Sequence, residues 1–258
     1  MTIASTPSVS APLAGKRALV TGAGTRLGRS IALELMRRGA DVAVHFHSSE
    51  AGARELCDEG RALGVTAIPL KADLSSAQEG RELVLASVRA LGGLDLLVAS
   101  AANFERIAFE DLDDDAWDRA LNLNTKSAFV LAQAAAAELR LNRGNIVFIT
   151  CASTQVPMRN YLPYVVSKAA TLQLMRTLSL ELAPEVRVNA VAPGTVLPPA
   201  DMSDALREKL VASIPLQRLG VAQDVADAVA YLASAPFVTG QEIAVCGGRT
   251  VAAVERFG

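Results

Sequence analysis

The chain has 258 residues, 25 Lys+Arg against 27 Asp+Glu, and a formal net charge of −2. So even a balance argues against nucleic acid as the main partner, which needs a basic surface. A hydrophobic content of 51% with 20% charge excludes a disordered chain. The longest apolar stretches, such as AFVLAQAAAAEL (128–139), fall short of the ~20 residues that cross a bilayer, so no membrane partner is expected.

No composition break or linker divides the chain, which predicts a polar flexible tail over 1–14 and one domain over 15–258. The tail has neither the basic start nor the apolar run of a signal peptide, so a cytoplasmic location is expected. Cys57, Cys151 and Cys246 are odd in number and far apart, with no disulfide or metal spacing. His45 and His47 form a bare pair without a third ligand, so no metal is expected.

Apolar runs then alternate with helical stretches. Strands are expected at 17–21, 41–45, 66–70, 94–99, 145–150, 186–192 and 242–246. Most are apolar throughout, as in strands covered on both faces. Helices are expected at 26–38, 51–63, 75–91, 113–140 (with an interruption), 162–182 and 221–233. This alternation predicts an α/β fold: a single Rossmann-type, doubly wound parallel sheet of about seven strands with helices on both faces. The least regular internal stretch is 193–203, PGTVLPPADMS, a candidate lid over a site.

The first strand runs into TGAGTRLGRS, which opens a helix. Gly22, Gly24 and Gly28 would let the backbone approach a pyrophosphate, and the helix start offers free N–H groups to it. A site for NAD normally carries an acid at the end of the second strand. Here that end reads His45-Phe46-His47-Ser48-Ser49, with no acid before Glu50, and Arg26 adds a nearby cation. Hydroxyls and a cation without a carboxylate suit a 2′-phosphate, hence NADP(H). Asp73 and Leu74 follow the third strand, where Asp73 would hold the adenine amino group or cap the next helix.

Tyr164 and Lys168 stand four apart at the start of the 162–182 helix, on one face. A tyrosine with an ordinary pKa of about 10 needs a neighbouring cation to exchange protons near neutrality. Lys168 would supply that field, and Tyr164 would protonate the oxygen or nitrogen left when hydride arrives.

With TGAGTRLG, Asp73-Leu74, Asn124 in WDRALNLN, YVVSK, VRVNAVAPG and FVTGQEIAV all present, the chain resembles the short-chain dehydrogenase/reductase family from about residue 15 to residue 248. The resemblance implies a catalytic set of Asn124, Cys151, Tyr164 and Lys168, with Asn124 helping to hold a water-linked proton relay. It implies cofactor contacts from Thr21, Leu27, Ser100, Ala101 and Val196, besides the glycine turn, and from Lys168 to the nicotinamide ribose. Pro193 and Gly194 would close over the nicotinamide. Most members are dimers or tetramers, so a homo-oligomer, with a tetramer favoured, is expected.

Several positions depart from the family pattern. Cys151 stands thirteen before Tyr164, where serine is usual, and a thiol is the weaker hydrogen-bond donor. Thr150 or Ser153 would partly replace it, Ser153 with a local shift of the chain. The usual N-N-A-G reads Ala99-Ser100-Ala101-Ala102, Cys246 replaces an acid, and Arg26 replaces a glycine. Arg26 and the H-x-H-x-S run resemble the pteridine reductase branch, whose histidine motif carries an arginine where Ser48 stands. That resemblance implies a small-molecule substrate, a pterin or dihydrofolate reduced at C=N. Phe104 would stack on it, and Arg26 would serve phosphate and pterin. A carbonyl reductase acting on a keto-acyl, quinone or sugar-like ketone is the alternative. A regulatory protein that binds NADP without turnover is the alternative of another class.

Overall fold

The computed structural model describes residues 11–198 and 202–255. Seven strands, β1 (Arg17–Val20), β2 (Asp41–Phe46), β3 (Ala67–Lys71), β4 (Leu96–Ala99), β5 (Asn145–Ile149), β6 (Arg187–Pro193) and β7 (Glu242–Val245), form one parallel sheet in the order β3-β2-β1-β4-β5-β6-β7. Leu19, Val44, Val98 and Phe148 are wholly buried, because each strand has helices on both faces. Burying each such side chain contributes about 2 kcal/mol. Pro69, which lacks an N–H, sits in β3 at the edge of the sheet, where its missing donor breaks no ladder.

One face is covered by α1 (Arg26–Arg37), α2 (Glu50–Ala62) and α8 (Ala222–Ser234), with Ile31, Leu35, Leu56 and Val229 in its core. The other is covered by α3 (Ala77–Leu91), α5 (Ser127–Leu141) and α6 (Leu162–Glu181), around Leu83, Leu131, Leu139 and Met175. The interrupted helix is α4 (Asp114–Leu121), a π turn (Asn122–Lys126) and then α5. The sequence pattern missed α7 (Asp204–Ala212), which has no buried residue and turns Leu206 and Leu210 to the open cavity, not to a core, and the short α9 (Arg249–Glu255).

The tail expected to run to residue 14 joins the fold earlier. Leu13 is buried, and its N–H donates to Arg38 O at 3.0 Å. The lid stretch has no regular structure over 194–198, and residues 199–201 of it lie outside the described residues.

Strand order reverses at β1, which pairs β2 on one side and β4 on the other. The helices following these strands depart to opposite faces, which opens a crevice at their carboxyl ends. Thr21 stitches that crevice: its Oγ1 accepts from the N–H groups of Ser100 (2.9 Å) and Ala101 (3.0 Å). At the opposite rim Asp95 is buried and accepts from Arg17 N–H (3.1 Å), Arg17 Nε (2.7 Å) and Lys16 Nζ (3.2 Å). Burial pushes its carboxyl up, but these donors outweigh it and hold the group below the usual range.

Candidate active site

A cavity of about 1330 Å³ opens at the carboxyl ends of the strands. Its floor at one end is the turn between β1 and α1. Gly28 has no room for a side chain, since a Cβ would collide with Gly22 O. A Cβ on Gly24 would collide with Ser49, so Gly24 serves the packing of α2 against the turn and is not itself in the cavity wall. Thr25 caps α1 without a side-chain bond, which leaves the first helical N–H groups open to an anion. Thr21, expected at the cofactor, is buried behind the wall and positions Ser100 and Ala101, which do line it.

His45 holds the turn in place. Gly22 N–H donates to its Nδ1 at 3.0 Å, and its Nε2 lies 3.2 Å from Ala72 O. The first bond requires a bare Nδ1, so the ring is neutral and Nε2–H donates to Ala72. Burial, opposed by the Ala72 bond and helped by the charge of His47, pushes its pKa down to about 4. Both ring nitrogens are spent, and no group of three metal-ligating side chains occurs among the described residues.

His47, Ser48, Ser49, Leu27 and Leu74 line the groove beside the turn. Glu50 does not: its carboxylate accepts from Arg54 at 2.7 Å on the surface of α2. Asp73 lines the groove, with Oδ1 accepting from Ser75 N–H at 2.9 Å. The hydrogen bonds from Ser75 keep that carboxyl below its ordinary range. The helix cap is Ser76, whose Oγ accepts from Glu79 N–H at 3.3 Å. Arg26 adopts a left-handed backbone (φ 52°) where the family pattern has glycine, a conformation that costs about 1 kcal/mol for a residue with a side chain. Its Nη2 donates to Leu197 O at 3.0 Å, so it bridges the groove to the loop after β6 and does not lie along β2. Open N–H groups, the Gly28 contact and a groove free of carboxylate at the end of β2 fit an adenine dinucleotide.

The other end of the cavity is built on β5 and α6. Lys168 is buried, and its Nζ donates to Ile149 O at 2.7 Å. Burial lowers its pKa to about 8, against a raising effect of Cys151. Nζ stands 5.8 Å from the Tyr164 ring centre. The expected lowering of the Tyr164 pKa is not met: burial first, then the neighbouring Cys151, raise it. Tyr164 is therefore held protonated.

Asn124 stands in the π turn and is buried behind the wall, outside the cavity. Its Oδ1 accepts from Asn103 N–H (3.0 Å), its Nδ2 donates to Ser167 Oγ (2.9 Å), and its main-chain O accepts from Thr171 Oγ1 (3.0 Å). It positions Asn103, which does line the cavity and which no sequence signal marked. The Thr150 hydroxyl is engaged with Glu242 Oε1 (2.6 Å) and Val191 O (3.1 Å). Cys151 opens a 3-10 turn (Ala152–Thr154), and its Sγ accepts from Ser153 N–H at 3.4 Å.

Phe104 is half exposed at the mouth, but its ring is already stacked. The Tyr161 ring lies 4.4 Å away at 16°, and Tyr164 meets it edge-on at 4.7 Å and 80°. A ligand would have to use the other face or displace Tyr161. Tyr161, three residues before Tyr164, carries no motif and was missed by sequence reasoning. Pro193, Gly194 and Val196 line the cavity beneath the loop after β6. Arg249 at the start of α9 donates to Thr195 Oγ1 at 3.2 Å and anchors that loop.

Residues 22–250 match the model of a family described as enoyl-(acyl carrier protein) reductase. A hydroxynaphthalene reductase-like protein of Metarhizium acridum is 34% identical over 267 residues, covering 95% of this chain and 99% of the relative. A 3-oxoacyl-(acyl-carrier-protein) reductase of Staphylococcus aureus is 36% identical over 241 residues, covering 90% and 97%. A short chain dehydrogenase of Burkholderia cenocepacia, solved in complex with NADP, superposes with a TM-score of 0.87 at 35% identity, covering 92% and 99%. With its parallel seven-stranded sheet, its glycine turn and Tyr164 and Lys168 in the cavity wall, the chain belongs to the short-chain dehydrogenase/reductase family of NAD(P)-dependent oxidoreductases.

Proposed function

We propose that the protein is an NADPH-dependent carbonyl reductase. The observation that carries this reading is a protonated, half-buried Tyr164 one helical turn from buried Lys168, in the wall of a cavity that continues into the dinucleotide groove. When bound, the nicotinamide supplies hydride. Tyr164 donates its phenolic proton to the substrate oxygen as negative charge develops there. Lys168, as a cation, steadies the phenolate left behind and holds the cofactor ribose. Asn124 acts through Asn103, and Pro193 and Gly194 form the wall of the nicotinamide subsite. NADPH is preferred over NADH because His47, Ser48 and Ser49 line the far end of the groove without a carboxylate among them.

The aromatic mouth favours a planar cyclic carbonyl over a flexible one. A pterin or dihydrofolate substrate is the second reading, on the strength of Phe104 and Arg26, and it requires the open face of Phe104. A dimer or tetramer is in keeping with exposed Phe129 and Leu141 on α5 and Leu180 on α6. A cofactor-binding role without turnover is the reading that an activity assay removes. The test follows NADPH absorbance with a quinone, a small keto ester and dihydrobiopterin. Wild type should oxidise NADPH with at least one carbonyl, and Tyr164→Phe should lose at least about 10²-fold in kcat while binding NADPH normally. Equal rates in the two proteins would refute the assignment.

A further inference from the structure

The missing family serine leaves the substrate oxygen short of a hydrogen-bond donor beside Tyr164. Three side chains near that place are candidates. Cys151 Sγ is an acceptor here, receiving the Ser153 N–H. A thiol is in any case a weak donor. The Thr150 hydroxyl is occupied by Glu242 and Val191. Ser153 differs from both. It is 4% exposed and belongs to the cavity wall, and its Oγ, closed off from solvent in the free protein, has no hydrogen-bond partner among the described residues, so a turn about its Cα–Cβ bond would present it to a ligand. A buried hydroxyl without a partner forfeits about 1–3 kcal/mol, a cost that a ligand accepting its hydrogen bond would remove.

We propose that Ser153, and not the residue at the family serine position, donates the second hydrogen bond to the substrate oxygen. This inference rests on the carbonyl reductase reading. The 3-10 turn makes the relocation possible, since Cys151 caps it and fixes Ser153 alongside through the N–H to Sγ contact. In the reaction, hydride from NADPH forms the new C–H bond and the carbonyl π bond breaks. The oxygen takes the Tyr164 proton, and NADPH leaves as NADP⁺. Ser153 keeps its own proton throughout. It stabilises the charge on the oxygen, as a fixed donor aimed at developing negative charge does.

The experiment compares wild type, Ser153→Ala, Cys151→Ser and Cys151→Ser/Ser153→Ala with phenanthrenequinone and ethyl acetoacetate as probes. Because the Ser153 hydroxyl is buried and bonds to nothing in the free protein, Ser153→Ala should match or exceed the wild-type Tm and keep its NADPH Kd. Its kcat should fall about 10²-fold. The double variant restores a hydroxyl at position 151 and should recover at least about tenfold of that loss, which a merely structural role for Ser153 would not produce. Ser153→Ala with a kcat close to wild type, or a double variant no faster than Ser153→Ala, would overturn the inference and leave the reductase reading intact. Failure of wild type to turn over either carbonyl would overturn the reductase reading and the inference with it.

Discussion

Acidification should loosen the cofactor turn through one ring. His45 is buried and neutral, with Nδ1 facing the Gly22 N–H and Nε2–H bonded to Ala72 O. Protonation would place a second donor against Gly22 N–H and a charge in the core. Its folded pKa of about 4 lies below the ordinary 6.5. The depressed value means that stability is fully present above pH 6.5 and is lost as pH falls toward 4. The shift corresponds to about 3 kcal/mol in full, of which about 2 kcal/mol is gone by pH 5. Urea unfolding of wild type and His45→Gln at pH 7.5 and pH 5 measures this. Wild type should lose about 2 kcal/mol more than the variant over that interval. The variant, which cannot titrate there, should be less stable at pH 7.5. Because Gly22 belongs to the cofactor turn, its NADPH Kd should also rise. Parallel pH dependences in the two proteins would refute the argument that this ring carries the acid sensitivity.

Lys168, with a pKa near 8 set by burial, should lose its charge as pH rises through that value. The rate of reduction by the free enzyme should fall in step, so a profile flat to pH 10 would contradict its role. Phe104→Ala should weaken planar substrates by about tenfold in kcat/KM and small keto esters much less, since only the former use the ring face. Equal losses would remove the aromatic preference. His47→Asp places a carboxylate in the groove and should raise the KM for NADPH at least tenfold relative to that for NADH, by repulsion of the 2′-phosphate; an unchanged ratio would move that phosphate elsewhere.

The strands were legible because sheet burial on both faces leaves a plain mark, unbroken apolar runs such as IVFI (146–149). Tyr164 and Lys168 were legible because a shared helix fixes their spacing. Other parts of the site have no local spelling. Tyr161 meets Phe104 only because two distant loops converge, and Asn103 matters through a bond to Asn124 in a π turn. Arg26 lines the cavity, but its bond to Leu197 spans 171 positions. The pattern could place a cation near the turn, not say which carbonyl it would choose. The direction of the Tyr164 shift was likewise set by depth of burial, which sequence does not carry.

The cluster around Asp95 divides the labour of the molecule between two rims. The rim remote from the cavity is bolted by a buried carboxylate with three donors. The departures at Arg26, Ser100, Cys151 and Cys246 all fall at the opposite rim, where strands end and loops begin. A lineage built in this way can exchange reactive groups singly, because anchorage does not pass through them. A thiol can therefore occupy a serine's post at one pole while the bolted carboxylate at the other holds the scaffold unchanged.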